Sequence, residues 1–250
     1  MLTWQGDTAA ALPWMEDALR IWRHLGDRQE VALALEGMGW VQLLGGRDEA
    51  ACATFEECLQ IQRERGDPVL VNRARVALAQ VLVALHQVER ARPMAHDIIA
   101  YAKANDDPRS EHFGFHYLAD CALIEGRCDR SLPLYRQSLV LARAIGDRLE
   151  TSFEIQGVAM SLAGVGVWDR ALHLAAAAKA EWERIGADVH MRFWDELMDR
   201  HLSGARLALG PEAADHAWAT GKLIPFDQAV AIALESREED GPTAAELETA

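Results

Sequence analysis

Two histidines and a carboxylate four residues apart, His112, His116 and Asp120, are the residues best spaced for chemistry in this chain. On a helix such spacing puts all three on one stripe, with Glu111 beside them. Paired imidazoles at i and i+4 can chelate a divalent ion, but a zinc site wants a further ligand converging from another element, and the sequence supplies none nearby. A polar helix surface is the simpler expectation, so no metal ion or other cofactor is assigned. The remaining catalytic patterns are missing. No phosphate-binding GxxxxGK[ST] loop occurs, and Gly37-Met38-Gly39 lacks the third glycine of a dinucleotide fingerprint. There is neither a GxSxG elbow nor an HExxH helix. Without converging acid–base groups, the expectation is a chain that is not an enzyme.

Composition narrows the partners. Lysine and arginine total 25 against 39 acidic residues, a formal charge of −14 over 250 residues. Such a field repels phosphate backbones and anionic lipid, so direct nucleic-acid binding is not expected. No stretch approaches the roughly 18 apolar residues of a membrane span, and the first residues do not form a signal peptide. A cytoplasmic protein without membrane contact follows. The four cysteines, Cys52, Cys58, Cys121 and Cys128, include no CxxC pair and read as buried free thiols. Of the eight tryptophans, Trp14, Trp22, Trp168 and Trp182 fall on or beside helices, where packing between helices accounts for them.

What must position all these residues is a repeat of 40. Gly26-Asp27, Gly66-Asp67, Asp106-Asp107, Gly146-Asp147 and Gly186-Ala187 follow one another at that interval. A second series, Gly6, Gly46, His86, Gly126 and Gly166, interleaves with the first. Two turn signals per repeat mean two helices per repeat. Between the turns, apolar residues recur three and four apart, as in Phe55, Cys58, Leu59 and Gln62, or Leu134, Ser138, Leu141 and Ile145. A glycine after a helix supplies the left-handed residue that ends it, and the following aspartate caps the next. First helices are predicted near 28–45, 68–85, 108–125, 148–165 and 188–209, and second helices near 8–25, 48–65, 88–104, 128–145 and 168–185. Pro68 and Pro108, like Pro13, Pro93 and Pro133, are expected in first turns, where a missing N–H costs little. A pair of helices this short cannot bury its apolar face alone, so neighbours must stack.

These residues resemble the tetratricopeptide repeat family in its longer, 40-residue variety. The family's Leu-Gly pair is matched by Met38-Gly39, Leu78-Ala79, Leu118-Ala119 and Val158-Ala159. Its small residue opening the second helix is matched by Ala11, Ala51, Ala91, Ser131 and Ala171. Its large residue four later is matched by Met15, Phe55 and Tyr135, whereas Ala95 and Ala175 depart from it. The next small residue is matched by Ala18, Cys58, Ser138 and Ala178, with Ile98 larger. The resemblance implies an all-α, right-handed solenoid of antiparallel helix pairs over residues 1–204. A C-terminal helical cap follows over 205–236, and an acidic disordered tail over 237–250. Residues 205–234, from Ala205-Arg206-Leu207 to Ala233-Leu234, are similar to the end of AfsR/MalT-like (LuxR-type) ATPase transcriptional regulators.

The family turns three columns of its first helices towards a concave groove. Here these are Leu33, Arg73, Phe113, Phe153 and Phe193; then Glu36, Val76, His116, Gln156 and Glu196; then Trp40, Gln80, Asp120, Met160 and Arg200. Phenylalanines beside polar residues suit a peptide with apolar anchors, although each ring could instead pack against the neighbouring helix. The resemblance therefore implies a protein or peptide partner, in the sensory or relay region of a transcriptional regulator. The alternative is a small molecule that alters solenoid curvature. Leu2–Asp7 reads as the last turn of a first helix whose body is missing, so the chain is expected to be the end of something longer. Helix 8–25 would then present Met15, Leu19 and Trp22, and two copies could pair there.

Overall fold

The computed structural model describes residues 8–236, with side chains from residue 11; the predicted last turn at Leu2–Asp7 and the predicted tail at 237–250 lie outside the described residues. The described chain is all-α. Its helices are α1 (Thr8–Leu25), α2 (Arg28–Leu44), α3 (Asp48–Arg65), α4 (Pro68–Ala84), α5 (Val88–Asn105), α6 (Pro108–Ile124), α7 (Cys128–Ile145), α8 (Arg148–Gly164), α9 (Trp168–Ile185), α10 (Arg192–Leu209), α11 (Pro211–Gly221) and α12 (Phe226–Leu234). Among these residues no helix is long and apolar enough to cross a membrane.

The turns explain the regularity. Gly26, Gly46, Gly66, Gly126, Gly146, Gly166 and Gly186 all have positive φ. His86 and Asp106, which break the two glycine series, take the same left-handed conformation at φ 56° and 53°. Their place in the repeat overrides the cost of a side chain there. Asp27, Asp67, Asp107 and Asp147 then accept hydrogen bonds from the backbone N–H groups that open α2, α4, α6 and α8.

Two expectations about local structure are corrected. Pro68 and Pro108 do stand at the first helical position, but Pro13, Pro93 and Pro133 lie inside α1, α5 and α7. Each helix opens five residues earlier, where the turn places its start, so each proline removes only one backbone hydrogen bond close to the N-terminal end. The last first-type helix, α10, begins at Arg192 rather than near 188. No glycine–aspartate signal stands there, since Ala187 replaces the capping aspartate.

The chain divides into two compact units, one running to Tyr101 and including Asp188–Trp194, the other holding Ala102–Ala187 and the residues from Asp195 onward. In the first, α1 packs on α2, α2 on α3 and α3 on α4. Turns of two or three residues make these neighbours antiparallel. Phe55 is wholly buried, and its ring lies so close to Gly39 that a Cβ there would come within 2.5 Å of it. The buried Asp48 pairs with Arg192 at 2.6 Å. On α1, Leu19 is buried against the expectation that it is presented, and Met15 and Trp22 are half-buried. Met15 lies against Gly37 of α2. The apolar residues left in solvent are Trp14 at 72%, Ile21 at 51% and Leu25 at 63%.

In the second unit α6, α7, α8 and α9 pack in succession, α11 lies along α9, and α12 rests on α7, α8 and α9. Residues 151–163 of α8 are buried without a break, so this helix has no free face along most of its length. Tyr135, the counterpart of Phe55 two repeats on, is wholly buried against Gly157.

Candidate functional site

The residues of the three first-helix columns differ in what they offer a partner. In the first unit, Leu33 and Arg73 are exposed, while Glu36, Trp40 and Val76 are half-buried and Gln80 is buried. Arg73 binds Glu36 through two contacts of 2.6 Å, linking α4 to α2. Trp40 meets Phe55 edge-on with ring centres 5.4 Å apart. The Phe193 ring is buried and packs against Trp194.

In the second unit the columns turn inward. Phe113 is half-buried and stacks on Tyr117. His116, Asp120, Phe153, Gln156 and Met160 are buried, and Glu196 and Arg200 are exposed. Phe153 keeps 6% of its surface and stands edge-on to Trp182 at 4.8 Å. The polar surface expected for His112, His116 and Asp120 is therefore absent, because α7 and α8 close over that stripe of α6.

What closes it is a charge network. His112 Nε2 lies 2.9 Å and His116 Nδ1 2.7 Å from the same oxygen, Oε1 of Glu154 on α8. The other nitrogen of His116 lies 3.4 Å from Asp120 Oδ2, and the Tyr135 hydroxyl donates to Asp120 Oδ1 at 2.6 Å. Ser138 donates to the His112 carbonyl at 3.0 Å. A ring that faces a carboxylate on each side is best satisfied as an imidazolium. Burial opposes that charge, yet Asp120 and Glu154 together raise His116 to about 10. Burial likewise opposes the Glu154 charge, but the two histidines hold it down at about 2. At Asp120 burial wins and lifts the carboxyl to about 6, with His116 and the Tyr135 hydroxyl pulling the other way.

The two histidines thus converge on a carboxylate oxygen, and among the described residues no group of three His, Cys, Asp or Glu side chains is placed to hold a metal ion. His112, Asp120, Tyr135 and Glu154 are at most 1% exposed and His116 keeps 6% of its surface, so the network lies almost wholly in the interior. It joins α6, α7 and α8 by charge-assisted hydrogen bonds.

Glu154 escaped the sequence reading. Its signal was the alternation of polar Ser152, Glu154 and Gln156 with apolar Phe153 and Ile155, Glu154 lying 38 residues after His116 and 42 after His112. Three arginines of the second unit also went unremarked. Arg136 and Arg170 donate to backbone carbonyls at the end of α12, and the Arg148 guanidinium lies 4.4 Å over the Phe226 ring. No curated protein matches the chain. A family model described as tetratricopeptide repeat matches residues 1–64, so this stretch, through α3, is similar to a tetratricopeptide repeat.

Proposed function

We propose that the chain is a non-catalytic module that binds a protein or peptide through the surface of its first helices. The observation that carries this reading is the tetratricopeptide match over residues 1–64, a family whose helix pairs mediate protein–protein interaction. Within the first unit, Leu33, Arg73 and the half-buried Glu36, Trp40 and Val76 form a mixed apolar and charged surface on α2 and α4. Such surfaces take a peptide by a few apolar anchors, with charge setting its orientation. In the second unit Phe113 is the anchor still within reach of a partner. A photo-crosslinking residue at Leu33 or Val76 tests the assignment in the source cell. An adduct lost on Arg73→Glu supports it, and adducts arising only from the second helices would overturn it.

The similarity of residues 205–234 to the ends of AfsR/MalT-like regulators supports a narrower role, the sensory or relay region of a cytoplasmic transcriptional regulator. DNA contact would then belong to another polypeptide segment, given the charge of −14. Pairing of two copies through α1 is part of the same proposal, resting on Trp14, Ile21 and Leu25, which form one stripe at spacings of seven and four.

A further inference from the structure

α1 packs on α2 and leaves a second apolar face in solvent. Trp14, Ala18, Ile21 and Leu25 follow one another at spacings of four, three and four, the rhythm of a seam between two helices. Ala18 is half-buried and the other three are exposed. The side that α1 turns to α2 is a different one, for the buried Leu12 and Leu19 and the half-buried Met15 and Trp22 lie about a third of a turn away. One repeat on, the same positions of α3 show what such a face receives. The counterparts of Trp14, Ala18 and Leu25 are Thr54, Cys58 and Arg65, each 40 residues later. All three touch α2: Thr54 donates to Gln42 at 2.7 Å, Cys58 to the Ala32 carbonyl at 3.4 Å and Arg65 to Gln29 at 3.0 Å. Contacts that run up α3 while they run down α2 belong to an antiparallel pair. The open face of α1 therefore suits a helix antiparallel to it.

We propose that the occupant is α1 of a second copy, antiparallel and related by a two-fold axis near Leu19 and Arg20, with Trp14 against Leu25 of the other copy and Ala18 against its Ile21. The arrangement rests on the pairing proposed above and adds its direction. Charge singles out this occupant. Asp17 and Arg20 are exposed, lie 2.5 Å apart on one helix, and stand on the same flank of the seam. An antiparallel second copy brings its own Arg20 to this Asp17 and its own Asp17 to this Arg20, so the face is complementary to itself. A parallel copy would turn towards them the flank that holds Met15 and Trp22, which carries no charge. The ion pairs set direction and the apolar seam supplies most of the contact. Because α1 is already helical on α2, pairing orders little new chain.

Sedimentation equilibrium of the full chain tests the arrangement by charge reversal at these exposed positions. Asp17→Arg alone and Arg20→Asp alone should each weaken self-association about tenfold, since two ion pairs become two repulsions. An equimolar mixture of the two variants should restore it, and so should the double variant Asp17→Arg/Arg20→Asp. Under mild oxidation Leu25→Cys should not cross-link to itself, because position 25 lies opposite Trp14 and far from its own counterpart. A disulfide joining two Leu25→Cys chains at that position overturns the antiparallel arrangement. Association that is lost on Trp14→Glu with Ile21→Glu but indifferent to both charge reversals also overturns it, and leaves pairing through α1 standing. No association at any concentration, or association that survives Trp14→Glu with Ile21→Glu, overturns the arrangement and the pairing together.

Discussion

His116 and Glu154, 38 residues apart in sequence, meet at 2.7 Å in the interior of the second unit, Nδ1 against Oε1. The same carboxylate oxygen also meets His112, and through it α6 is fastened to α8. A buried charge pair of this kind is costly to assemble and more costly to break, because removing one partner strands the other in a medium of low dielectric. Glu154→Gln should therefore destabilise the fold by about 3–5 kcal/mol. Urea denaturation measures it, and a loss below about 1 kcal/mol would show that the network contributes little.

The same cluster sets a direction for pH. The folded-state value of His116 is raised from 6.5 to about 10, so its contribution is complete below pH 6.5 and fades as pH climbs through 10. Asp120, raised from 3.8 to about 6, likewise works against the fold as pH rises between those values. Glu154, lowered from 4.5 to about 2, contributes fully above pH 4.5 and loses its contribution only as pH falls through 2. From pH 4.5 upward Glu154 contributes no slope, and those of Asp120 and His116 have the same sign. The melting midpoint is expected to fall between pH 6.5 and 10, and His116→Gln should flatten that fall. A midpoint that rises over this range contradicts the assignment.

Helix contacts in the first unit are tight enough to reverse ordinary helix propensity. Alanine forms helices better than glycine by about 1 kcal/mol, but at Gly39 its methyl would lie 2.5 Å from the Phe55 ring. Gly39→Ala should thus destabilise, by about 1–3 kcal/mol. Ala79→Leu and, in the second unit, Ala119→Leu, at positions with no exposed surface, should do so on the same scale. Thermal melts of the three variants check the register at these three contacts.

Phe113 and Phe153 occupy equivalent places in the repeat but should behave differently. The Phe153 ring is buried against Trp182, and Phe153→Ala should cost about 3–5 kcal/mol of stability, as should Phe55→Ala. Phe113 is half-buried. Its truncation should cost less in folding and, if the first helices bind a peptide, weaken that binding by about 1–3 kcal/mol. Calorimetric unfolding of the two variants side by side separates the roles.

Pairing through α1 is read by sedimentation. Trp14→Glu with Ile21→Glu should abolish concentration-dependent association while leaving the unfolding free energy within about 1 kcal/mol, because both residues are exposed. Association that survives the double substitution places the contact elsewhere.

The amino-acid sequence by itself determined the helices and their turns. Helix geometry and left-handed turns are local, so Gly66 and Asp67 end α3 and cap α4 whatever lies around them, and a spacing of 40 carries the pattern along the chain. The identity of core fillers was equally legible: Phe55, Tyr135, Ala79 and Ala119 are buried as the repeat requires. A repeat also assigns each side chain a direction, and there its authority ends. It placed His116, Asp120, Phe153 and Met160 along one concave groove with Arg73, whereas the structure buries the first four and exposes the last. What comes to lie over a given stripe depends on neighbours in space, and those break the repeat. Glu154 reaches two histidines on another helix, and α12 returns from far along the chain to rest on α7, α8 and α9. Only tertiary structure could decide these, because burial and pKa depend on the sum of all groups within a few ångströms, and sequence spacing fixes that distance only within a single helix.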